Sequence, residues 1–593
     1  MRKSIFILVL VILSMLVISC NKPVPLKIKT PVVTPIGGTY IQAQNVTITC
    51  ETAEAQIRYT LDGSEPSSSS SLYTGAINIS SSATLTAKAF KTGWTDSDAV
   101  SQVYTITKKV QSPVVTPIGG TYIQAQNVTI TCETPGAEIR YTLDETDPST
   151  SSTLYTGAIN ISSSATLTAK AFKEGLDDSE TVTHKYDLSF QLKLSKTFGG
   201  IDYDYILNTI QTSDGGYIAV GSTRSNDGDI SGNHGNEDGW IIKVDSDGNK
   251  VWSKCLGGSG DDSFFKIIET ADGGFMIVGV TIATSGDFTS NGSSFNGLMI
   301  KLSSTGEKVW AKTFGGSYTD YLWDVVQTAD NGYIAVGYTS SSDGDIQGFQ
   351  GINDGWIIKV DSNGNKLWSK TFGGTSGDFL YGIVKTSDDG YVAAGKTYST
   401  GGDILDSHGK WDGWIIKINS IGEKVWSKCF GGSSTDYLNS IATTSDGGFI
   451  AVGETESNDG DLSGNHGQWD GWIIKINSTG QKVWAETYGE SGKDYLTDVI
   501  QTSDGGYMAS GYTLSTDGIF SDNHGGQDAW IVKINSTGNK TWSKCFGGTA
   551  EDRFKGIIKT SDNSYVAVGN TESSDGDLQV NLGRRDGWIL KLE

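Results

Sequence analysis

An all-β chain, with two small β-sandwich domains followed by a seven-bladed β-propeller, is predicted by three features of the sequence. They are a tryptophan ladder of fixed period, a pair of hairpins inside each period, and a second duplication of different period near the N-terminus. Trp252, Trp310, Trp368, Trp426, Trp484 and Trp542 fall at one interval of 58 residues, and the same step gives Trp240, Leu298, Trp356, Trp414, Trp472, Trp530 and Trp588. Seven copies without insertion imply one supersecondary unit stacked around an axis or along a line.

Within a copy, Asn208–Thr212 and Tyr217–Gly221 flank the turn Ser213-Asp214-Gly215-Gly216, and Trp240–Val244 and Lys250–Lys254 flank Ser246-Asp247-Gly248-Asn249. Short β-runs around Asp-Gly turns read as hairpins. Two hairpins make a four-stranded blade, and seven blades close into a ring. The last copy ends at Trp588-Ile589-Leu590-Lys591-Leu592-Glu593, its third strand. Residues 190–198 match the missing fourth strand, with Leu194 in the tryptophan position, and would remove the exposed edges of an open ring. No stretch carries a sustained 3.6-residue period, so helical readings fail.

Arg2 and Lys3 precede an apolar run from Ile5 to Ile18, too short for a membrane span and placed as an export signal. The segment Leu16-Val17-Ile18-Ser19-Cys20 resembles a bacterial lipobox, which implies lipidation at Cys20 after removal of residues 1–19, with 20–29 as linker. Asn21 at the next position favours the outer membrane or cell surface, and the membrane would be met through that lipid alone. The formal charge of −23 argues against nucleic acid as a partner. Six cysteines in an exported chain suggest disulfides. Here, however, Cys50 and Cys132 are one position of a duplication, and Cys255, Cys429 and Cys545 are one strand position in three blades, alternating with threonine.

Residues 30–107 and 112–187 form the second duplication, at an offset of 82: Val33 to Thr52 recurs unchanged as Val115 to Thr134. Runs such as Val46–Cys50, Ile57–Thr60 and Ala83–Phe90, split by Gly, Pro and Ser turns, read as a small β-sandwich in each copy. The segments Pro31–Tyr40, Tyr59–Pro66 and Leu72–Ile77 resemble the chitobiase/β-hexosaminidase C-terminal domain, a fibronectin-III-like module. That resemblance implies an accessory, non-catalytic spacer.

On the propeller, residues 189–593, the loops from second to third strand and from fourth strand to next blade emerge on one face. Long loops on a rigid scaffold are where binding concentrates. Carboxylates Asp227, Asp229, Asp345, Asp459, Asp461, Asp575 and Asp577 in these Gly-rich loops are candidate Ca²⁺ ligands. They read equally as turn caps. Asp204, Asp262, Asp320, Asp378, Asp436, Asp494 and Asp552 recur in every blade and are expected to be structural. His234, His408, His466 and His524 share one loop position, and Trp411 and Trp469 break the repeat just before the Asp-Gly-Trp motif; all six are candidate ligand contacts. The ladder tryptophans are expected to pack between blades in the core.

No Ser/His/Asp arrangement, nucleophile elbow or phosphate loop is present. The segment Asp245–Trp252 resembles the tryptophan motif of quinoprotein-type propellers, and the whole repeat resembles Gly/Asp-rich blades of bacterial and archaeal surface proteins. The expected function is a non-catalytic, lipid-anchored surface protein binding polysaccharide or another surface protein. The alternatives are a quinoprotein-like enzyme or a scaffold in envelope assembly.

Overall fold

A computed structural model describes residues 26–593 apart from 108, 123–125, 189, 289, 291–293 and 579. The signal segment and Cys20 lie outside the described residues. The chain divides into two compact units, one built around the sandwiches and the other around the propeller, Tyr186–Glu593, with Gly119–Gln126 and Asn160–Ser164 grouped with it.

Each sandwich pairs a three-stranded sheet with a five-stranded one. In the first, Val32–Thr34, Gln44–Thr49 and Ile77–Ile79 form the small sheet. Ala83–Phe90 and Val100–Ile106 sit within the larger. Period-2 alternation places Val46, Ile48, Ile77, Ile79, Leu85, Ala87 and Tyr104 in one apolar core.

The propeller consists of seven four-stranded antiparallel sheets. In the first blade the strands are Asp204–Gln211, Tyr217–Thr223, Asp238–Val244 and Lys250–Leu256. The two middle strands are buried along their whole length, which is why they read as continuous apolar runs with little alternation. The last blade takes its fourth strand from Leu192–Phe198, paired antiparallel with Asp586–Leu592 through Ser195 opposite Leu590 and Phe198 opposite Gly587. The first strand of the first blade packs against the last blade, so the ring is closed.

Two sets of tryptophans hold the blades. Trp240, Trp356, Trp414, Trp472, Trp530 and Trp588 are fully buried. The indole N–H donates to a serine of the fourth strand: Trp240 to Ser253 at 2.8 Å, Trp356 to Ser369 at 2.8 Å, and Trp588 to Ser195 of the closing strand at 3.0 Å. The second blade drops both partners, with Leu298 and Ala311. In the fifth, Ala485 replaces the serine and Trp472 donates instead to the Tyr437 carbonyl at 2.7 Å. The 58-residue ladder, expected in the core, is half-buried on the outer strand. Trp252 packs on the hairpin turn of the next blade, where a Cβ on Gly306 (φ +77°) would stand 2.8 Å from the indole, and Trp310 covers Gly364 in the same way. Cys255, Cys429 and Cys545 are buried and unbridged, and burial pushes the Cys255 thiol up to about 12.

Candidate ligand site at the propeller axis

The recurrent aspartates are locks between loops. Asp320, fully buried, accepts hydrogen bonds from the Gly316 backbone N–H at 2.7 Å, the Ser341 hydroxyl at 2.9 Å and the Thr339 hydroxyl. Asp204 does the same with Gly200, Ser225 and Thr223. Burial raises these carboxyls, Asp262 and Asp494 to about 6. The loop aspartates are also engaged. Asp229 pairs with Lys250 at 2.6 Å, Asp345 with Lys366 at 2.5 Å and Asp461 with Lys482 at 2.6 Å. Asp577 accepts from the Gly547 N–H at 3.2 Å. Asp227, Asp459 and Asp575 accept from the backbone N–H of Ile201, Ser433 and Thr549 at 2.9, 2.7 and 2.8 Å. Among the described residues no group of three or more His, Cys, Asp or Glu is placed to hold a metal ion.

The loop histidines turn toward the aspartate that opens the third strand. His234 Nδ1 lies 3.0 Å from Asp238, His524 Nδ1 2.8 Å from Asp528, His466 Nδ1 3.4 Å from Asp470 and His408 Nδ1 4.0 Å from Asp412. Trp411 and Trp469 go elsewhere, into a chain of contacting rings. Trp411 meets Tyr398 at 5.2 Å and Tyr437 at 6.2 Å, and Trp469 meets Tyr437 at 5.4 Å and Tyr495 at 6.4 Å between centroids.

These rings belong to a set of positions that differ from blade to blade. The first strand of each blade carries a bulge, with Ile206 opposite Gly221 and Asn208 opposite Val220, which leaves Leu207 without a partner. Gly221 is required because a Cβ there would lie 1.9 Å from the Tyr205 carbonyl oxygen. The bulged position reads Leu207, Phe265, Trp323, Tyr381, Asn439, Thr497 and Lys555, seven different residues. Between glycine and threonine constant in all copies, the second strand holds Ser222, Val280, Tyr338, Lys396, Glu454, Tyr512 and Asn570. Each faces the residue two before the bulge on the paired strand, such as Tyr437 opposite Glu454 and Tyr495 opposite Tyr512. The position before the third strand is Glu237, Phe295, Asn353, Trp411, Trp469, Gln527 and Arg585. Comparing the seven copies column by column would have revealed these positions in the sequence; attention to the long loops passed over them.

All seven bulged residues line one axial cavity of about 360 Å³, together with Lys266, Asp324, Glu454, Asp498 and Tyr512. One wall is aromatic, with Phe265 stacked on Trp323 at 4.1 Å, and behind it the stack continues through Tyr321 to Tyr338 at 5.1 Å. Lys396 sits among rings, its ammonium 3.9 Å from the Tyr437 centroid and 5.0 Å from that of Trp411. Lys266 stands 3.9 Å from Asp324; burial works against its charge, but Asp324 and Asp498 hold the ammonium protonated. Burial brings Glu454 up to about 7 despite a 2.5 Å hydrogen bond from Asn439. Burial and then Arg553 bring Lys555 down to about 8. Perturbed titratable groups converging in a cavity make it the candidate site of this fold.

Comparison with known proteins finds a matching domain model in the N-terminal part of the chain and more distant likenesses over the rest. The Regulatory protein FlaEY of Caulobacter vibrioides is 22% identical over 262 residues, covering 41% of this chain and 26% of that protein, about a quarter of the relative's length. Among solved structures, an auxiliary nutrient binding protein from Bacteroides thetaiotaomicron aligns over 82% of this chain and 100% of its own, with a TM-score of 0.30 and 11% identity. A quinoprotein alcohol dehydrogenase-like protein from the same organism aligns over 73% and 96%, with a TM-score of 0.31 and 11% identity. Residues 35–102 and 117–183, one stretch in each sandwich, match the chitobiase/β-hexosaminidase C-terminal domain.

Proposed function

We propose that this chain is a non-catalytic binding protein displayed at the cell surface by a lipid on Cys20, with the sandwiches as spacer and the propeller axis as its ligand site. The observation that carries the reading is the bulged position, where seven otherwise similar blades present seven different side chains to one cavity. A site built by symmetry alone would repeat one residue; a site that grips an asymmetric ligand needs different groups at different points of the ring. Stacked aromatics beside Asn439, Thr497 and Glu454 suit a polysaccharide better than a flat protein surface, because sugar rings offer both an apolar face and hydroxyls.

The long loops, by contrast, spend their carboxylates on neighbouring backbone and lysines, a structural duty. The test is a glycan array probed with the full exported chain, followed by titration of any hit against Trp323→Ala. Loss of binding in that variant with an unchanged melting curve supports the axial site. Retention of full binding by a correctly folded Trp323→Ala protein refutes it.

A further inference from the structure

Among the described residues, donors in the axial cavity and in the blade of Lys555 stand without partners, as does one acceptor of that blade, Asp586 Oδ1. Lys555 Nζ makes no hydrogen bond or ion pair among the described residues and stands 5.3 Å from the Tyr512 centroid. In the same blade, Arg585 Nε and Asn570 Nδ2 are buried without an acceptor, and Trp323 Nε1 on the aromatic wall is in the same condition. Buried donors without acceptors cost about 1–3 kcal/mol each, so a ligand that supplies acceptors recovers that free energy. A cationic ligand fits less well, since the ring cluster that would receive it is filled by the chain's own Lys396. The acids of the cavity are engaged, Asp324 and Asp498 accepting from the backbone N–H of Ile383 and Ile557 at 2.9 and 3.0 Å and Glu454 from Asn439.

Resting on the axial-site reading, we propose that the cavity binds an acidic oligosaccharide, the carboxylate of a uronic acid unit meeting the Lys555 ammonium while the sugar face lies against the Phe265–Trp323 wall. A charge-assisted hydrogen bond in a site of low dielectric is stronger than a neutral one, and a planar wall favours the flat face of a pyranose. An acidic peptide would satisfy Lys555 but leaves the stacked wall and the neutral Asn439 and Thr497 without a matching surface.

The experiment is calorimetric titration of the full exported chain with oligomers of galacturonate, glucuronate and mannuronate, their methyl esters, and oligoglutamate. At least one uronate oligomer is expected to bind, with its methyl ester weaker by about 10- to 100-fold, the range set by loss of a charged hydrogen bond. Lys555→Met should bring the acid down to the level of the ester, leave the ester unchanged, and keep the wild-type circular dichroism spectrum. Equal binding of acid and ester, or an unaffected Lys555→Met protein, overturns the carboxylate assignment. The axial site survives that outcome if Trp323→Ala still abolishes binding, and falls with it if Trp323→Ala binds normally. Binding of oligoglutamate without any uronate, or of no probe at all, overturns the acidic-sugar proposal.

Discussion

Replacing Asp320 by alanine isolates the lock that ties each blade to the next. The carboxylate is fully buried and accepts from three donors, the Gly316 N–H and the hydroxyls of Ser341 and Thr339. Alanine leaves all three without an acceptor at about 1–3 kcal/mol apiece. Against this, burial raises the Asp320 carboxyl, so the native ionised form already carries a desolvation cost that alanine removes. The balance is a loss of about 3–5 kcal/mol, a large part of the stability of a typical domain. Urea unfolding of the protein, followed by tryptophan fluorescence, should show a lower midpoint with an unchanged slope. Asp343→Ala is the control, since that exposed carboxylate bonds Ser317 at the rim of the same loop and should be near neutral. A loss below about 1 kcal/mol for Asp320→Ala, or one matching the control, would refute the argument that these aspartates hold the ring.

Ser369→Ala removes the acceptor of the buried Trp356 indole and should cost about 1–2 kcal/mol, measured by the same unfolding curves. The reverse change Ala485→Ser should gain nothing, because Trp472 already donates to the Tyr437 carbonyl. The pH dependence of melting follows from two opposed sets of carboxyls. Asp262, Asp354, Asp494, Asp528 and Asp586 are raised to about 6 by burial, so the stability they contribute is complete below about pH 4 and lost as pH rises through 6. Asp272 and Asp330 are lowered to about 2, chiefly by bonds from Thr270 and Thr328, and their contribution is lost only as pH falls through 2. The melting temperature should therefore peak at about pH 4–5 and decline toward neutrality; a plateau from pH 5 to 8 would contradict this. EGTA should leave the melting midpoint unchanged, because Asp229, Asp345 and Asp461 are paired with lysines; a fall would support calcium binding at these loops.

The architecture was legible because both periods are written in large side chains and turn residues. Trp240 and Trp252, the Asp-Gly turns and the truncated last copy locate four strands per blade and the closing strand, which begins at Leu192. Burial was less legible. Trp252 and Trp240 are both strand tryptophans, yet only Trp240 lies on a middle strand covered on both faces. The axial positions were less legible for a physical reason. Asp227 and His234 are the residue types that bind ligands, but equally the types that cap turns, and here backbone N–H groups and Asp238 claim them. Trp411 and Trp469 stood out in the sequence because they break the repeat, and the same departure from the repeat picks out the other axial positions.

Divergence among repeats could also come from drift at positions where any residue is tolerated. The outer strands argue against that explanation. Val251, Val309, Leu367, Val425 and Val483 are each more than half exposed and carry little of the packing, yet they have barely changed. The exposed turn serines Ser246, Ser304, Ser362, Ser420, Ser478 and Ser536 have not changed at all. If exposure and time were sufficient, these surfaces would have diverged first. Instead the outer strand and its turn are nearly uniform across the copies, while the half-buried bulge differs, with Leu207, Trp323, Asn439 and Lys555 in equivalent places. A half-buried position flanked by an obligatory glycine is more constrained sterically than a solvent-facing one, so drift should be slower there. Change at the sterically constrained bulge beside constancy at the exposed outer strand is the pattern expected when asymmetry at the axis has been selected, as a ligand without sevenfold symmetry requires.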